Sequence, residues 1–322
     1  MQVSRPPASR PALRALLIDI SGTLHVGSAI TPNAVEAFRR LQESGVPFRL
    51  CSNTSKESTR DVSARLQKLG FELRETSKTG GEGPREVWTS IGAVQRVMQD
   101  MDIHRPYLLL SDSARTELQL LPPENEKDSE DEDQTPFDAV IVGLCPARLD
   151  YAHLNTAFRI LAREHPARSP RQPVLLAAHA GRVLEASTGG LALGPGPFVK
   201  ALEHAVPGVK AHIVGKPSRA FFEAVIADVD AHGCFAARNP DAPTPPNSRV
   251  AIIGDDVEAD LGGGAVELGL WRVLVRTGKY RPGDETRTSS PPDEVVDSFA
   301  AFVDSVLSGP GMIEKSLDMD SR

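Results

Sequence analysis

Polar residues stand at the ends of three apolar, strand-length segments that lie far apart in the chain. Asp19 closes the segment ALLID, Ser52 follows VPFRLC, and Asp255 comes after VAII and a glycine. In a doubly wound parallel sheet, ligands bind in the crevice beyond the carboxyl ends of the strands, so these three side chains are expected to share one pocket. Each residue alone could be a turn residue or a helix cap. Their combination indicates a binding site.

The segment GDDVEAD brings three aspartates into one loop and the start of the helix predicted after it. Asp255, Asp256 and Asp260 stand so close together that they would raise one another's pKa unless a cation neutralised them. Hard oxygen ligands, with one or two carboxylates per ion, suit Mg²⁺. Helix capping explains one of the three residues but not the cluster, so the segment predicts a Mg²⁺ site.

Lys216, Ser52 and Asn53 are candidate ligands for an anion. Lys216 stands in VGKP at another predicted strand end, where an ammonium group can neutralise a phosphate or a carboxylate as a point charge. Ser52 and Asn53 precede a predicted helix and offer hydroxyl, amide and backbone N–H donors, as phosphate sites at helix N-termini do. A surface lysine and simple helix capping are the alternative interpretations.

The order of the predicted elements is typical of an α/β protein with a parallel sheet. Strands alternate with helices near both ends of the chain, and the part between them has enough strands and helices for a small inserted α/β domain. We predict a core of residues 14–87 and 190–305, an inserted domain at 88–189, a disordered tail at 1–13 and a flexible tail at 306–322. The predicted strands are 15–19, 46–51, 107–110, 139–142, 174–178, 211–214, 250–253 and 272–275, and the predicted helices are 32–44, 56–69, 151–163, 219–232 and 260–268.

Composition and charge argue against several classes of protein. The net charge of −7 gives no basic footprint for nucleic acid, and no apolar run approaches the roughly 18 residues that span a membrane. Three scattered cysteines are too few for a disulfide framework or a zinc site, which indicates a reducing compartment, the cytoplasm or the nucleus. Segments 76–84, 124–134 and 237–247 are interpreted as solvated loops, with partner binding as the alternative for the acidic segment 124–134.

The segments DISGT, CSN, GKP and GDDVEAD occur in this order and resemble the four motifs of the haloacid dehalogenase-like hydrolase superfamily. The resemblance spans residues 14–305. The stretches GLALGPGPFVKALEHA, NTSKES and RTGKYRPGDE look like the branch that holds the phospholysine phosphohistidine inorganic pyrophosphate phosphatases and their haloacid dehalogenase-like domain-containing relatives. The resemblance implies a Rossmann-like core with a C2-type α/β cap inserted after the second motif, and a homodimer formed through the cap.

An aspartyl-phosphate mechanism is what the resemblance implies. Asp19 would attack phosphorus, and Mg²⁺ held by Asp19, Asp255 and the backbone carbonyl of Ser21 would neutralise the phosphoryl oxygens. The substrate would be a small phosphorylated molecule or a phosphorylated protein side chain. The residues expected at the phosphate are Ser21, Ser52, Asn53 and Lys216, and Asp256 and Asp260 are expected either as metal ligands or as residues that support the ligands.

Ser21 stands where most phosphatases of the superfamily carry a second aspartate that protonates the leaving oxygen and activates water. A serine hydroxyl is a poor acid and a poor base near neutral pH, so a contribution of about 10² to 10⁴ should be lost for a simple alkyl phosphate. Pyrophosphate, aryl phosphates, phosphohistidine and phospholysine need less help to lose their leaving group.

The sequence therefore favours a phosphatase for labile phosphoryl donors. The alternative is a catalytically weak or inactive phosphate-binding protein that regulates a partner. Dehalogenation on the same scaffold also uses an aspartate nucleophile, but it needs no metal cluster, and the acidic loop counts against it.

Overall fold

The computed structural model describes residues 10–74, 86–118, 136–185, 190–231 and 249–308. In these ranges the strands are β1 (Ala15–Asp19), β2 (His25–Val26), β3 (Ala29–Ile30), β4 (Phe48–Ser52), β5 (Val87–Thr89), β6 (Pro106–Leu109), β7 (Ala139–Val142), β8 (Val174–Ala177), β9 (Val183–Glu185), β10 (Leu191–Leu193), β11 (His212–Ile213), β12 (Val250–Gly254), β13 (Trp271–Val275) and β14 (Glu294–Val296). The α-helices are α1 (Ala34–Ser44), α2 (Thr59–Lys68), α3 (Ser90–Asp100), α4 (Asp112–Glu117), α5 (Tyr151–Leu161), α6 (Gly196–Ala205), α7 (Arg219–Ala231), α8 (Gly264–Glu267), α9 (Asp284–Arg287) and α10 (Phe299–Ser308).

A six-stranded sheet in the order β14-β13-β12-β1-β4-β5 forms the centre of the first compact unit. Strand β1 is parallel to both β12 and β4, and β12 and β13 are parallel as well. Every residue of β1, β4 and β12 is buried, and β1 and β12 accordingly have nearly continuous apolar sequences rather than alternating ones. Around the sheet, Phe38 of α1 packs edge-on against the rings of Phe48 and Phe71, and a two-stranded hairpin is formed by β2 and β3.

A four-stranded parallel sheet in the order β11-β8-β7-β6 forms the centre of the second compact unit. The side chains of β7 alternate between two hydrophobic clusters: Val140 and Val142 belong to one, and Ala139 and Ile141 to the other. Both faces of this sheet are therefore covered, as in other parallel sheets. A separate antiparallel pair is formed by β9 and β10.

The borders of the two units differ from the predicted domain borders. The first unit takes its described residues from Met1–Ser52, Ser63–Trp88 and Pro217–Arg322, and the second from Asn53–Val62 and Thr89–Lys216. The sequence predicts residues 190–216 to belong to the core, but β11 pairs with β8 and α6 contributes Val199 and Leu202 to the hydrophobic cluster of the second unit. Residues 53–62 belong to the second unit for a similar reason, since Ser55 accepts a hydrogen bond from the backbone N–H of Leu144.

Most predicted elements are present, with bounds shifted by a few residues. The helix predicted over 260–268 is reduced to α8, because Gly263 at a φ of 46° precedes it and the acidic loop continues to that point. The tail predicted at 1–13 is too long, since Leu13 is buried and Arg10 pairs with Glu294, and α10 extends to Ser308, past the predicted border at 305. The predicted loop segments 76–84, 124–134 and 237–247 lie outside the described residues.

Two further sequence-based expectations concern cysteines and membrane spans. Cys51 and Cys145 are buried, and neither is in a disulfide bond. Within the part of the chain that the structure describes, no helix combines the length and the apolar character needed to cross a bilayer.

Candidate active site

The carboxyl ends of three neighbouring strands bring Asp19, Ser52 and Asp255 to one edge of the six-stranded sheet. Asp19 is the last residue of β1, Ser52 the last of β4, and Asp255 follows Gly254 at the end of β12. The register places Asp19 beside Cys51 on one side, and Ile18 beside Ile253 on the other. All three polar side chains are buried.

Three of the aspartates form a compact buried cluster. Each of Asp19, Asp255 and Asp260 offers one carboxylate oxygen, and these oxygens all lie within 4.8 Å of one another. The hydroxyl of Thr23 donates a hydrogen bond to Asp19 Oδ2 at 3.2 Å. Carboxylates gathered in this way repel one another unless a cation lies between or beside them.

The surroundings of Asp255 fit a divalent cation. Burial, together with the charges of Asp19 and Asp260, raises the pKa of the Asp255 carboxyl well above its usual range. Its Oδ2 accepts the backbone N–H of Lys279 at 2.6 Å, whereas Oδ1 is buried and has no hydrogen-bond partner among the described residues. A buried carboxylate oxygen without a donor, beside two further carboxylates, is the kind of ligand that Mg²⁺ takes.

Asp256 and Asp260 have different surroundings, although both are equally possible metal ligands in the sequence. Asp260 belongs to the buried cluster. Asp256 Oδ1 accepts the backbone N–H groups of Glu258 and Ala259 at 3.0 and 2.9 Å, and its Oδ2 accepts the ammonium group of Lys279 at 3.2 Å. Burial acts to raise the pKa of Asp256, but Lys279 and the two amides outweigh burial and lower it.

Lys279 is a functional candidate that the sequence analysis missed. It lies in RTGKYRPGDE, a stretch that carries part of the family resemblance. Burial favours its neutral form, but the charges of the surrounding aspartates prevail and raise the pKa of the Lys279 ammonium group above its ordinary value. The signal that could have identified it is its position: a lysine four residues beyond the buried end of β13 can face the same crevice as Asp255.

Two glycines allow the backbone to pass close to Asp255. Gly22 has a φ of +95° and Gly278 a φ of +60°. A Cβ atom on Gly22 would lie 1.9 Å from Asp255 Oδ2, and one on Gly278 would lie 2.1 Å from the same oxygen. The hydroxyl of Thr277 also donates to the carbonyl of Gly22, which ties the two loops together.

Replacing Gly22 with alanine is expected to destabilise the protein by roughly 3 kcal/mol, from backbone strain plus the clash with Asp255. The matched control is Gly27→Ala, because Gly27 has a φ of +57° and a Cβ there would meet no atom within 4 Å. The control should cost only about 1 kcal/mol. Chemical denaturation of both variants measures the difference, and equal losses would mean that close packing at Asp255 contributes nothing.

Ser21 lies between Asp19 and the β2–β3 hairpin. It forms an isolated bridge with His25, and the neighbouring N–H of Gly22 donates to the His25 carbonyl at 2.7 Å. The residue is exposed, unlike Asp19. Its predicted roles, as a metal ligand through its carbonyl and as a phosphate contact, stay predictions.

Lys216 and Asn53 belong to the second unit. Lys216 is buried, with 1% of its surface exposed, and Asn53 Nδ2 donates to the Lys216 carbonyl at 2.8 Å. The sequence predicts that the Asn53 amide donates to a phosphate, but one of its N–H groups is used within the protein. Asn53 Oδ1 is buried and has no partner among the described residues. The predicted roles of both residues at the phosphate stay predictions.

Comparisons with known proteins agree with this fold. Two family models match, a haloacid dehalogenase-like hydrolase model over residues 16–121 and a HAD-hydrolase-like model over residues 213–302. Haloacid dehalogenase-like hydrolase domain-containing protein 2 of Homo sapiens is 38% identical over 296 residues, which cover 92% of this chain and 96% of that protein. The phospholysine phosphohistidine inorganic pyrophosphate phosphatase of Homo sapiens is 32% identical over 301 residues, covering 92% and 94% respectively.

This chain belongs to the haloacid dehalogenase-like hydrolase family, in its C2-capped branch, as predicted. Among solved structures, the p-nitrophenyl phosphatase from Archaeoglobus fulgidus matches with a TM-score of 0.70 at 21% identity, covering 92% of this chain and 100% of that chain. NagD from E. coli K-12 matches with a TM-score of 0.67 at 18% identity, covering 90% and 98%. These likenesses confirm the predicted fold class, a Rossmann-like parallel core with an inserted α/β cap.

Proposed function

We propose that this protein is a Mg²⁺-dependent phosphatase in which Asp19 is the nucleophile. The observation that carries the proposal is the buried cluster of Asp19, Asp255 and Asp260, with Asp255 Oδ1 lacking a hydrogen-bond partner among the described residues. A cluster of this kind suits a divalent cation beside a carboxylate that can attack phosphorus. A relative and a solved structural neighbour both carry phosphatase names, which supports the proposed activity.

The proposed metal ligands are all oxygen atoms. Asp19 and Asp255 would hold the ion together with the backbone carbonyl of Ser21, and Asp260 is close enough to join or support them. When bound, Mg²⁺ supplies positive charge that neutralises the phosphoryl oxygens. Hard oxygen donors of this type favour Mg²⁺ over metals that prefer nitrogen or sulfur.

The covalent chemistry is assigned to Asp19. One of its carboxylate oxygens forms a bond to phosphorus while the bond from phosphorus to the leaving group breaks, and the electron pair departs with the leaving group. Water then attacks the phosphorus of the aspartyl phosphate, which releases inorganic phosphate and restores the carboxylate. Thr23 holds Asp19 Oδ2 through its hydroxyl and so limits the rotation of the nucleophile.

The proposed substrates are labile phosphoryl donors, namely phosphohistidine, phospholysine, pyrophosphate and aryl phosphates. Ser21 cannot serve as a general acid for a poor leaving group near neutral pH, so donors whose leaving group departs easily are favoured. The printed name of the human phospholysine phosphohistidine inorganic pyrophosphate phosphatase supports this class of substrate. Ser52, Asn53 and Lys216 are proposed to contact the phosphate.

The serine at position 21 also favours a second candidate, a phosphate-binding regulatory protein with little or no turnover. This alternative keeps the metal and phosphate sites but lacks the step that releases phosphate from Asp19. The two candidates differ in one measurable property, turnover of a labile donor.

Phosphate-release assays distinguish the phosphatase from the regulatory protein. The substrates are imidodiphosphate, pyrophosphate and 4-nitrophenyl phosphate, each with and without Mg²⁺. We expect turnover that requires Mg²⁺ and that falls sharply for glycerol phosphate, which has an alkyl leaving group. Absence of turnover on all donors, combined with Mg²⁺-dependent binding of inorganic phosphate, would support the regulatory protein instead. Calorimetry with inorganic phosphate supplies that second measurement.

A cytoplasmic or nuclear location and a homodimer formed through the second unit are also proposed. The location is supported by Cys51 and Cys145, neither of which is in a disulfide bond. The dimer is supported by three exposed apolar residues on the β9–β10 pair, Val183, Leu191 and Leu193. Sedimentation of the wild type and of Leu191→Glu tests the dimer, which the substitution should dissociate.

A further inference from the structure

Lys279 contacts two of the three aspartates in the acidic loop, through two different groups. Its backbone N–H donates to Asp255 Oδ2 at 2.6 Å, and its ammonium group donates to Asp256 Oδ2 at 3.2 Å. The four motifs that carry the resemblance do not include this lysine. It lies in the first unit together with the aspartates.

We propose that Lys279 is a positioning residue that determines which aspartates of the loop are available to the metal. It leaves Asp255 Oδ1 free to act as a ligand and withdraws Asp256 from the metal. This assignment rests on the metal site of the proposed function.

The backbone of residues 277–279 fixes the orientation of Asp255. With Oδ2 bound to the Lys279 N–H, only Oδ1 is left without a partner among the described residues. The carboxylate cannot turn away easily, because Gly22 and Gly278 pass so close to it that a Cβ on either would lie about 2 Å from Oδ2. Thr277 holds Gly22 in this arrangement.

The side chain of Lys279 completes the hydrogen bonds of Asp256. Oδ1 of Asp256 accepts the backbone N–H groups of Glu258 and Ala259, and Oδ2 accepts the ammonium group. Both oxygens of this carboxylate are thus engaged, so Asp256 shapes the loop instead of binding the ion. The backbone N–H of Asp256 in turn donates to Asp260 Oδ2 at 3.2 Å, which places the third aspartate in the cluster.

The charge of Lys279 has opposite effects on the metal-free and the metal-bound protein. Without a metal, an ammonium group beside crowded carboxylates relieves their repulsion and stabilises the fold. With a metal, the same positive charge repels the ion. Removing the charge should therefore weaken the metal-free fold and strengthen metal binding.

The test compares Lys279→Met, Lys279→Arg and the double variant Asp256→Asn/Lys279→Met with the wild type. Methionine keeps the length of the side chain and the backbone N–H but removes the charge, and arginine restores the charge. In the double variant, the asparagine at position 256 can still accept the N–H groups of Glu258 and Ala259, while the unpaired carboxylate is gone. Lys200→Met, which removes an exposed lysine paired with Glu203, is the control for loss of a lysine elsewhere.

Two quantities are measured, the midpoint of thermal unfolding without metal and the Mg²⁺ affinity by calorimetry. For Lys279→Met we expect an unfolding midpoint several degrees lower and Mg²⁺ affinity about tenfold tighter. Lys279→Arg and the double variant should return both quantities toward the wild-type values. Lys200→Met should change neither by a comparable amount.

A loss of thermal stability with unchanged Mg²⁺ affinity would overturn the assignment, because a purely structural lysine behaves in that way. Weaker Mg²⁺ binding by Lys279→Met would overturn it too. If the wild type itself does not bind Mg²⁺, the proposed metal site fails and this assignment fails with it, so the two failures are distinguished by the wild-type titration.

Discussion

Replacing Asp19 with asparagine is expected to lower kcat by about 10⁴-fold or more on every phosphoryl donor that the wild type hydrolyses. An amide oxygen is a far weaker nucleophile than a carboxylate oxygen, so the covalent intermediate should not form. The substitution keeps the shape of the side chain and an oxygen that can accept the hydroxyl of Thr23. Single-turnover phosphate release from 4-nitrophenyl phosphate measures the effect.

The loss of activity in this variant can be separated from unfolding. Asp19 is one of three buried carboxylates within 4.8 Å, so removing its charge relieves repulsion, and the metal-free variant should unfold at the wild-type temperature or above it. Asp102→Asn is the matched control, because that aspartate is exposed and pairs only with the nearby His104 among the described ion pairs. Wild-type turnover by a folded Asp19→Asn protein would exclude the aspartyl-phosphate mechanism.

The sequence predicts the core strands well because these strands are buried on both faces of the sheet. Strands β1 and β7 have the predicted bounds, and both are buried from end to end, so each reads as an unbroken apolar run. The shared position of Asp19, Ser52 and Asp255 follows from the same regularity, since the carboxyl ends of neighbouring parallel strands lie at one edge of the sheet. These inferences require only local sequence and one rule of sheet topology.

Features that depend on long-range packing could not be predicted from the sequence. Helix α6 and strand β11 continue the β-α alternation of the chain, so their local sequence does not indicate which sheet they join. The pairing of β11 with β8 shows that they belong to the second unit. The three aspartates of GDDVEAD look equivalent in the sequence. Their different roles depend on Lys279, whose ammonium group contacts Asp256 although the two residues lie 23 positions apart in the chain.

Glycines at the site illustrate the same limit. Gly22 and Gly278 look like ordinary turn residues in the sequence, where each follows a strand end by a few positions. Only the structure shows why glycine is required at both positions: the two residues come from different loops, and both lie against the carboxylate of Asp255. The site is therefore specified partly by residues without any functional group.

Replacing Ser21 with aspartate is expected to raise the rate of alkyl-phosphate hydrolysis by about 10² to 10⁴, because it restores a proton donor for the leaving oxygen. The position is exposed in the structure, so a carboxylate there keeps much of its hydration. The nearby charge of Asp19 would raise its pKa and favour the protonated form that donates. Release of phosphate from glycerol phosphate measures the gain.

The pattern of gains across substrates and variants decides whether proton transfer is the cause. Ser21→Asn has nearly the same size as the aspartate variant but no acidic proton, so it should remain as slow as the wild type on glycerol phosphate. The gain of Ser21→Asp should be smaller on 4-nitrophenyl phosphate, whose leaving group departs without a proton. Equal gains on both substrates, or an equal gain with asparagine, would mean that position 21 acts through packing and that the missing carboxylate does not set the preference for labile donors.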